Sequence, residues 1–343
     1  MKRHLSRRRA WLLILGGILA LLVAVSTYAL IRFDRIEVRQ SRQLGVTFSQ
    51  VQAERFGSDW HANYDALLSD LGFRHLRIVA YWDRTEPAPG RYNFSDTDWM
   101  IAEAAKYHAH VTLVVGQRTL RYPECYYPSW VNTANVAATS RAVNAYIAAV
   151  ANHYRGSTTI ENWQLENEFL LQAFGQCPKA DLSSRELVLE LRTLRAHDSG
   201  QPIIITQSDE YGFPIFGPLA DIYGMSMYKI EWNQITKSGY IEYPQGGWFN
   251  FWRASLISLF GRTKVQVGEL QAEPWGPVGN ENLSPAEAAR SMNVAQLHKN
   301  IAYAEATHIR TIDLWGAEWW WYMKQHYHDP SMWNAVKALP NKN

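Results

Sequence analysis

Hydrophobic positions fall into two regimes along the chain. From Ala10 to Ile31 the run AWLLILGGILALLVAVSTYALI carries no charge, and about twenty apolar residues are what a helix needs to cross a bilayer. Beyond about Ser41, apolar runs of strand length alternate with longer segments of helical period. The runs lie at 44–48, 75–80, 110–115, 161–166, 202–206, 221–227, 264–268 and 310–315. Between them NYDALLSDLG, DTDWMIAEAAKYH, TSRAVNAYIAAVANHYRG, SSRELVLELRTLRAH and SPAEAARSMNVAQLHKNIAYAEATH read as helices, the last started by Ser284 and Pro285. This alternation predicts βα units and a parallel sheet. Eight such strands over about 300 residues suit a closed (β/α)8 TIM barrel better than an open doubly wound sheet. No Gly-rich phosphate fingerprint follows the first strand, against a nucleotide-binding fold. Long aromatic segments after the second, third and sixth strands, ending with 228–252, read as loops that open on the barrel's C-terminal face.

Composition sharpens the N-terminal reading. The 343 residues are 47% hydrophobic, enough for a sizeable core, and the formal net charge is +2. Without Lys2, Arg3, Arg7, Arg8 and Arg9 the remainder has 29 basic and 32 acidic residues, or −3. A near-neutral body with a basic tip argues against a nucleic-acid partner. It predicts instead a cytoplasmic tip at 1–9, a transmembrane signal anchor at 10–31 in the lipid bilayer, a juxtamembrane linker at 32–41 and an exported body at 42–343. A cleaved signal peptide is the alternative, given the small residues near Ala24, Ser26 and Ala29. Export allows a disulfide between the two cysteines, Cys125 and Cys177; two unrelated thiols are the other reading. HYHDP at 326–330 has no matching ligand set elsewhere, so neither a metal nor another cofactor is expected.

The chemistry gathers at strand ends. NWQLENEFL at 162–170 closes the fourth strand with Glu166, Asn167 and Glu168, and KVQVGELQAEPWG at 264–276 closes the seventh with Glu269. A barrel brings both to one mouth, and glycoside hydrolysis needs two carboxyl groups flanking the bond. Glu273, four residues on and before Pro274, is an alternative nucleophile; Glu269 is preferred because it abuts the strand. Glu166 is expected to pair with Arg77 or another base, since a buried Glu needs a partner. Trp82, Trp130, Trp275 and Trp319 are either sugar platforms or core packing.

On WQLENE, VGELQ, HLRIVAYW and YWDRTEPAPGRYNFSDTDWMI the chain resembles the clan of retaining (β/α)8 glycoside hydrolases that includes cellulase-like family five and the β-galactosidase-like families thirty-five and forty-two. The resemblance implies Glu168 as acid/base, Asn167 as donor to the sugar 2-hydroxyl and Glu269 as nucleophile. Arg77 is the implied arginine beside the nucleophile, Tyr228 its hydrogen-bond donor and Trp315 the tryptophan under the sugar. Gly116 and Gln117 depart from it, standing where cellulase-like members often keep a histidine. The expected protein is a membrane-anchored, exported glycosidase acting on an oligo- or polysaccharide, with β-linkages cleaved with retention. An inactive glycan-binding barrel and a transglycosylase are the alternatives.

Overall fold

The computed structural model describes residues 2–171, 175, 177–178, 182–207, 213, 220–340 and 342. Eight parallel strands close into a barrel: β1 (Gln43–Thr47), β2 (His75–Val79), β3 (His110–Val115), β4 (Ile160–Leu165), β5 (Ile203–Gln207), β6 (Ile222–Met227), β9 (Lys264–Gln271) and β10 (Thr311–Trp315). Sequential strands are neighbours, and β10 pairs with β1 to complete the ring. β3, His-Val-Thr-Leu-Val-Val, is buried from its second residue on, as expected of a strand with side chains packed both inside the barrel and beneath the helices.

Two of the helices between strands start where the sequence supplies side-chain caps. Asp59 accepts from the backbone of His61 and Ala62 to begin α3 (Trp60–Ser69), and Ser183 accepts from Glu186 to begin α7 (Ser184–His197). The helical ring includes α5 (Ser95–Lys106), α6 (Val136–Tyr154) and α11 (Ala317–His326). Their inner faces join one core: Leu67, Met100, Tyr146 and Ile147 are buried beneath the sheet, each apolar side chain contributing about 1.5–3 kcal/mol.

Four expectations about element limits are corrected. The segment 284–308 is two helices, α9 (Pro285–Ala288) and α10 (Val294–Glu305), because Asn293 accepts from Gln296 and starts a new helix. The span 228–252 is not one loop: it holds an antiparallel hairpin of β7 (Ile230–Trp232) and β8 (Tyr240–Glu242), then the first turns of α8 (Gly247–Gly261). The seventh barrel strand runs to Gln271, so Glu269 lies within it. Finally, α1 (Lys2–Glu37) continues through most of the expected 32–41 linker. Its end is docked, with Ala29, Phe33 and Glu37 buried, Asp34 paired with His308, and Glu37 accepting from the backbone of Arg310. Among the described residues α1 is the one helix long and apolar enough to cross a membrane.

Candidate active site

The mouth of the barrel collects Arg77, Asn167, Glu168, Tyr228 and Glu269. Arg77, at the centre of β2 and fully buried, donates from Nε to Gln164 (2.7 Å) and from its second amino group to Asn167 (2.8 Å). The first amino group reaches the Gly268 carbonyl (3.0 Å) and Glu269 Oε1 (3.1 Å). One guanidinium thus ties the ends of β4 and β9 across the barrel, which its planar fork of donors permits and an ammonium does not. Tyr228 donates to the other Glu269 oxygen at 2.8 Å. Asn167 Oδ1 accepts from Arg77, Gln164 and Thr206, so its amide nitrogen points the opposite way.

Glu168 follows in the turn after β4 and accepts from Ser226 Oγ at 2.9 Å. Ser226 is the register partner of Glu269 on the adjacent strand, where neighbouring backbones run about 4.8 Å apart. Both glutamates therefore lie about Ser226, near enough for their charges to interact. Burial, then the facing Glu269 and Glu124, push the Glu168 carboxyl well above its ordinary range, with Ser226 and Arg118 opposing. A carboxyl that holds its proton to higher pH is what a general acid needs.

The turn itself answers what Glu166 does, and its expected pairing with the side chain of Arg77 or another base is corrected. Its carboxylate accepts from the backbone of Gln117 (2.8 Å) and Arg118 (2.6 Å), clamping the end of β3 to that of β4. Burial lifts it to about 7, and burial together with the facing Glu166 drives Glu190 well up. Gly116 makes the clamp possible: at φ +137° an added Cβ would sit 2.3 Å from Glu166 Oε1. Both Glu166 (φ 60°) and Glu168 (φ 50°) are left-handed, a strained conformation that turns the first carboxyl to the end of β3 and the second to Ser226 on β6.

Glu273 is held by a different cation. It accepts from Arg121 and from Trp315 Nε1 (2.9 Å), while Arg121 also binds Glu318 and covers the Trp315 ring at 4.1 Å. Of the tryptophans, Trp82 takes the core-packing reading: it is 0% exposed, stacked on Tyr146 and bonded to Glu86. Trp319 is likewise packed in the core cluster. Trp130 and Trp275 stay half-buried, Trp275 edge-on to Tyr228 at 5.2 Å.

Several site residues were not foreseen. Ser226, Gln164, Arg121, Glu318 and the Arg118–Glu124 pair all line this network, and burial raises Glu124 to about 7 against the pull of Arg118. The pair lies in the loop after β3, which the disulfide between Cys125 and Cys177 fastens to the loop after β4. Only a polar residue inside an otherwise apolar strand, such as Ser226 in IYGMSM, offered a signal.

No family profile matches the chain, and neither does any curated protein. Solved structures do. An exo-β-1,4-mannosidase, Op5Man5, from Opitutaceae bacterium strain TAV5 superposes with a TM-score of 0.57 at 16% identity, over 80% of this chain and 51% of its own. A GH5_18 variant from Bifidobacterium longum subsp. longum in complex with Manβ1-4GlcNAc gives 0.56 at 16% identity, over 80% and 68%. GH10 from Paenibacillus barcinonensis gives 0.51 at 16% identity, over 82% and 85%. The chain spans about half the length of the first of these. What it shares with these glycoside hydrolases is their (β/α)8 barrel fold.

Proposed function

We propose that this chain is a membrane-anchored, exported glycosidase that cleaves β-linked sugars with retention of anomeric configuration. The observation that carries the reading is the bridge of Ser226, bonded to Glu168 and in register with Glu269, which supports two carboxyl groups facing one gap. Glu269, oriented by Arg77 and Tyr228, attacks the anomeric carbon. Glu168 delivers its proton to the departing oxygen as the glycosidic bond breaks. In the glycosyl-enzyme the charge on Glu269 is gone, which lowers the proton affinity of Glu168. It then takes a proton from water as the water attacks and Glu269 leaves. The amide of Asn167 is poised to donate to a sugar hydroxyl, and Trp275 offers an aromatic flank. Two structural neighbours, an exo-β-1,4-mannosidase and a complex with Manβ1-4GlcNAc, make β-mannosides the first substrates to try.

The test is a panel of aryl β-glycosides with wild type, Glu168→Gln and Glu269→Gln. Removal of the acid should cost about 10²–10⁴-fold in kcat/KM, with the loss shrinking as the leaving group becomes more acidic. Removal of the nucleophile should abolish turnover on all leaving groups. A 2-fluoro sugar bearing a good leaving group should add one glycosyl mass to wild type and none to Glu269→Gln. Full activity in either variant defeats the assignment, and glycan binding without any adduct makes the protein a binding barrel.

A further inference from the structure

The outer face of α8 is unlike that of the other barrel helices. Its sequence, GWFNFWRASLISLFG, has one charge, Arg253, and that residue is buried. Trp248, Trp252, Leu256, Leu259 and Phe260 recur at helical spacing on the side away from the sheet; Trp248 and Phe260 are each 70% exposed. By contrast α7, SRELVLELRTLRAH, turns charges outward as a helix facing water does. A helix apolar on both sides needs a second apolar neighbour.

One neighbour is α1, which crosses α8 at small residues. Ala29 is buried at the crossing, Phe33 meets Phe251 with ring centres 6.1 Å apart, and Arg32 reaches Ser258. Trp252 Nε1 donates to Ser26 Oγ at 3.3 Å. Ser26 lies six residues before Arg32, the first charge after the apolar run, or about 9 Å along the helix axis. The contact with α8 therefore begins inside the apolar run, not beyond it.

We infer that α8 is seated in the outer interface of the bilayer that α1 spans, with Trp248, Trp252 and Phe260 at the level of the headgroups and upper acyl chains. This rests on reading α1 as membrane-spanning, and it adds a surface that the anchor alone does not require. Tryptophan is favoured at that depth because its ring is apolar and its N–H polar. The docked end of α1, held by Asp34–His308 and Glu37–Arg310, leaves no flexible tether. The barrel is then fixed on the membrane by its flank between β6 and β9, and its glycan must be reachable at the bilayer surface.

The experiment uses the full chain in phosphatidylcholine nanodiscs containing a lipid with a nitroxide near the glycerol end of its acyl chain. Both native cysteines are joined, so single thiols introduced as Trp248→Cys, Phe260→Cys, Leu19→Cys and Lys106→Cys take a bimane label selectively. Lys106 ends α5, on the far side of the barrel. Bimane at 248 and 260 should be quenched about twofold or more, that at 19 should also be quenched, and that at 106 should be nearly unaffected. Quenching at 19 with none at 248 and 260 overturns the seating and keeps the anchor. No quenching at 19 removes the anchor, and the seating with it. Unquenched 248 and 260 with a doubled particle protein mass assign the face to a second copy and overturn the proposal.

Discussion

Arg77 shows how much one side chain organises at this site. Its five donors are spread over Gln164, Asn167, the Gly268 carbonyl and Glu269, so it sets the amide direction of Asn167 and the angle of Glu269 together. Replacing it by methionine leaves Glu269 buried and without its cation. We expect Arg77→Met to lower stability by about 3–5 kcal/mol, since breaking one side of a buried pair costs that much, measured as a shift in urea midpoint in detergent. Activity should fall with it, and Arg77→Lys should recover stability better than turnover, because an ammonium restores charge and not the fork. At the same scale Glu168 sets a pH limit. Its raised carboxyl must stay protonated for the first step, so kcat/KM should fall on the alkaline side, and the residual activity of Glu168→Gln should lack that limb.

Elements meet at the site through loops that the chain fastens twice. The Glu166 carboxylate clamps the start of the loop after β3, and the disulfide between Cys125 and Cys177 joins that loop to the one after β4, over a sequence separation of 52. Closing a loop of that length removes unfolded-state entropy worth roughly 3–4 kcal/mol in the chain-entropy description. The double variant Cys125→Ser, Cys177→Ser should lose about 2–4 kcal/mol in denaturant titration. It should also raise KM more than it lowers kcat, because Arg118 and Glu124 are positioned by the same loop while Glu269 lies within a strand and Glu168 is held by Ser226 of β6.

Across the whole molecule, buried acids give the fold a common dependence on pH. Glu124 and Glu166 rise from an ordinary 4.5 to about 7, and Asp313, beneath Arg77, rises from 3.8 to about 7, each chiefly through burial. Between those values the folded chain binds more protons than the unfolded one, so stability falls as pH rises. The urea midpoint should be higher near pH 5 than near pH 8, with a difference on the order of 2 kcal/mol or more; an equal or reversed order would mean that these carboxyls are better solvated than their burial implies. Groups such as Asp70, held at about 2 chiefly by Lys337, with Trp333 and Lys324 adding, work in the other direction. Their contribution is complete above the ordinary aspartate range and lost as pH falls through about 2.

The order of strands, the positions of Glu168 and Glu269 at one mouth and the apolar N-terminal run were legible without coordinates. They depend on period and on topology: a period of two against 3.6 separates strand from helix, and closing a parallel sheet sends every strand end to the same face. What needed the tertiary structure was every choice between partners. Glu166 lies two residues from Glu168 in NWQLENEFL, yet it faces the backbone of Gln117 while Glu168 faces Ser226, a split made by two left-handed residues and by space left at Gly116. Trp82 and Trp275 are equally aromatic in the sequence; one is sealed in the core and the other borders Tyr228. The continuation of α1 onto α8 was hidden because Arg32, Asp34 and Arg35 interrupt the apolar run without ending the helix. Periodicity is a property of neighbours in the chain, whereas ion pairs, burial and carboxyl protonation depend on residues brought together from distant positions, and those are decided only when the barrel closes.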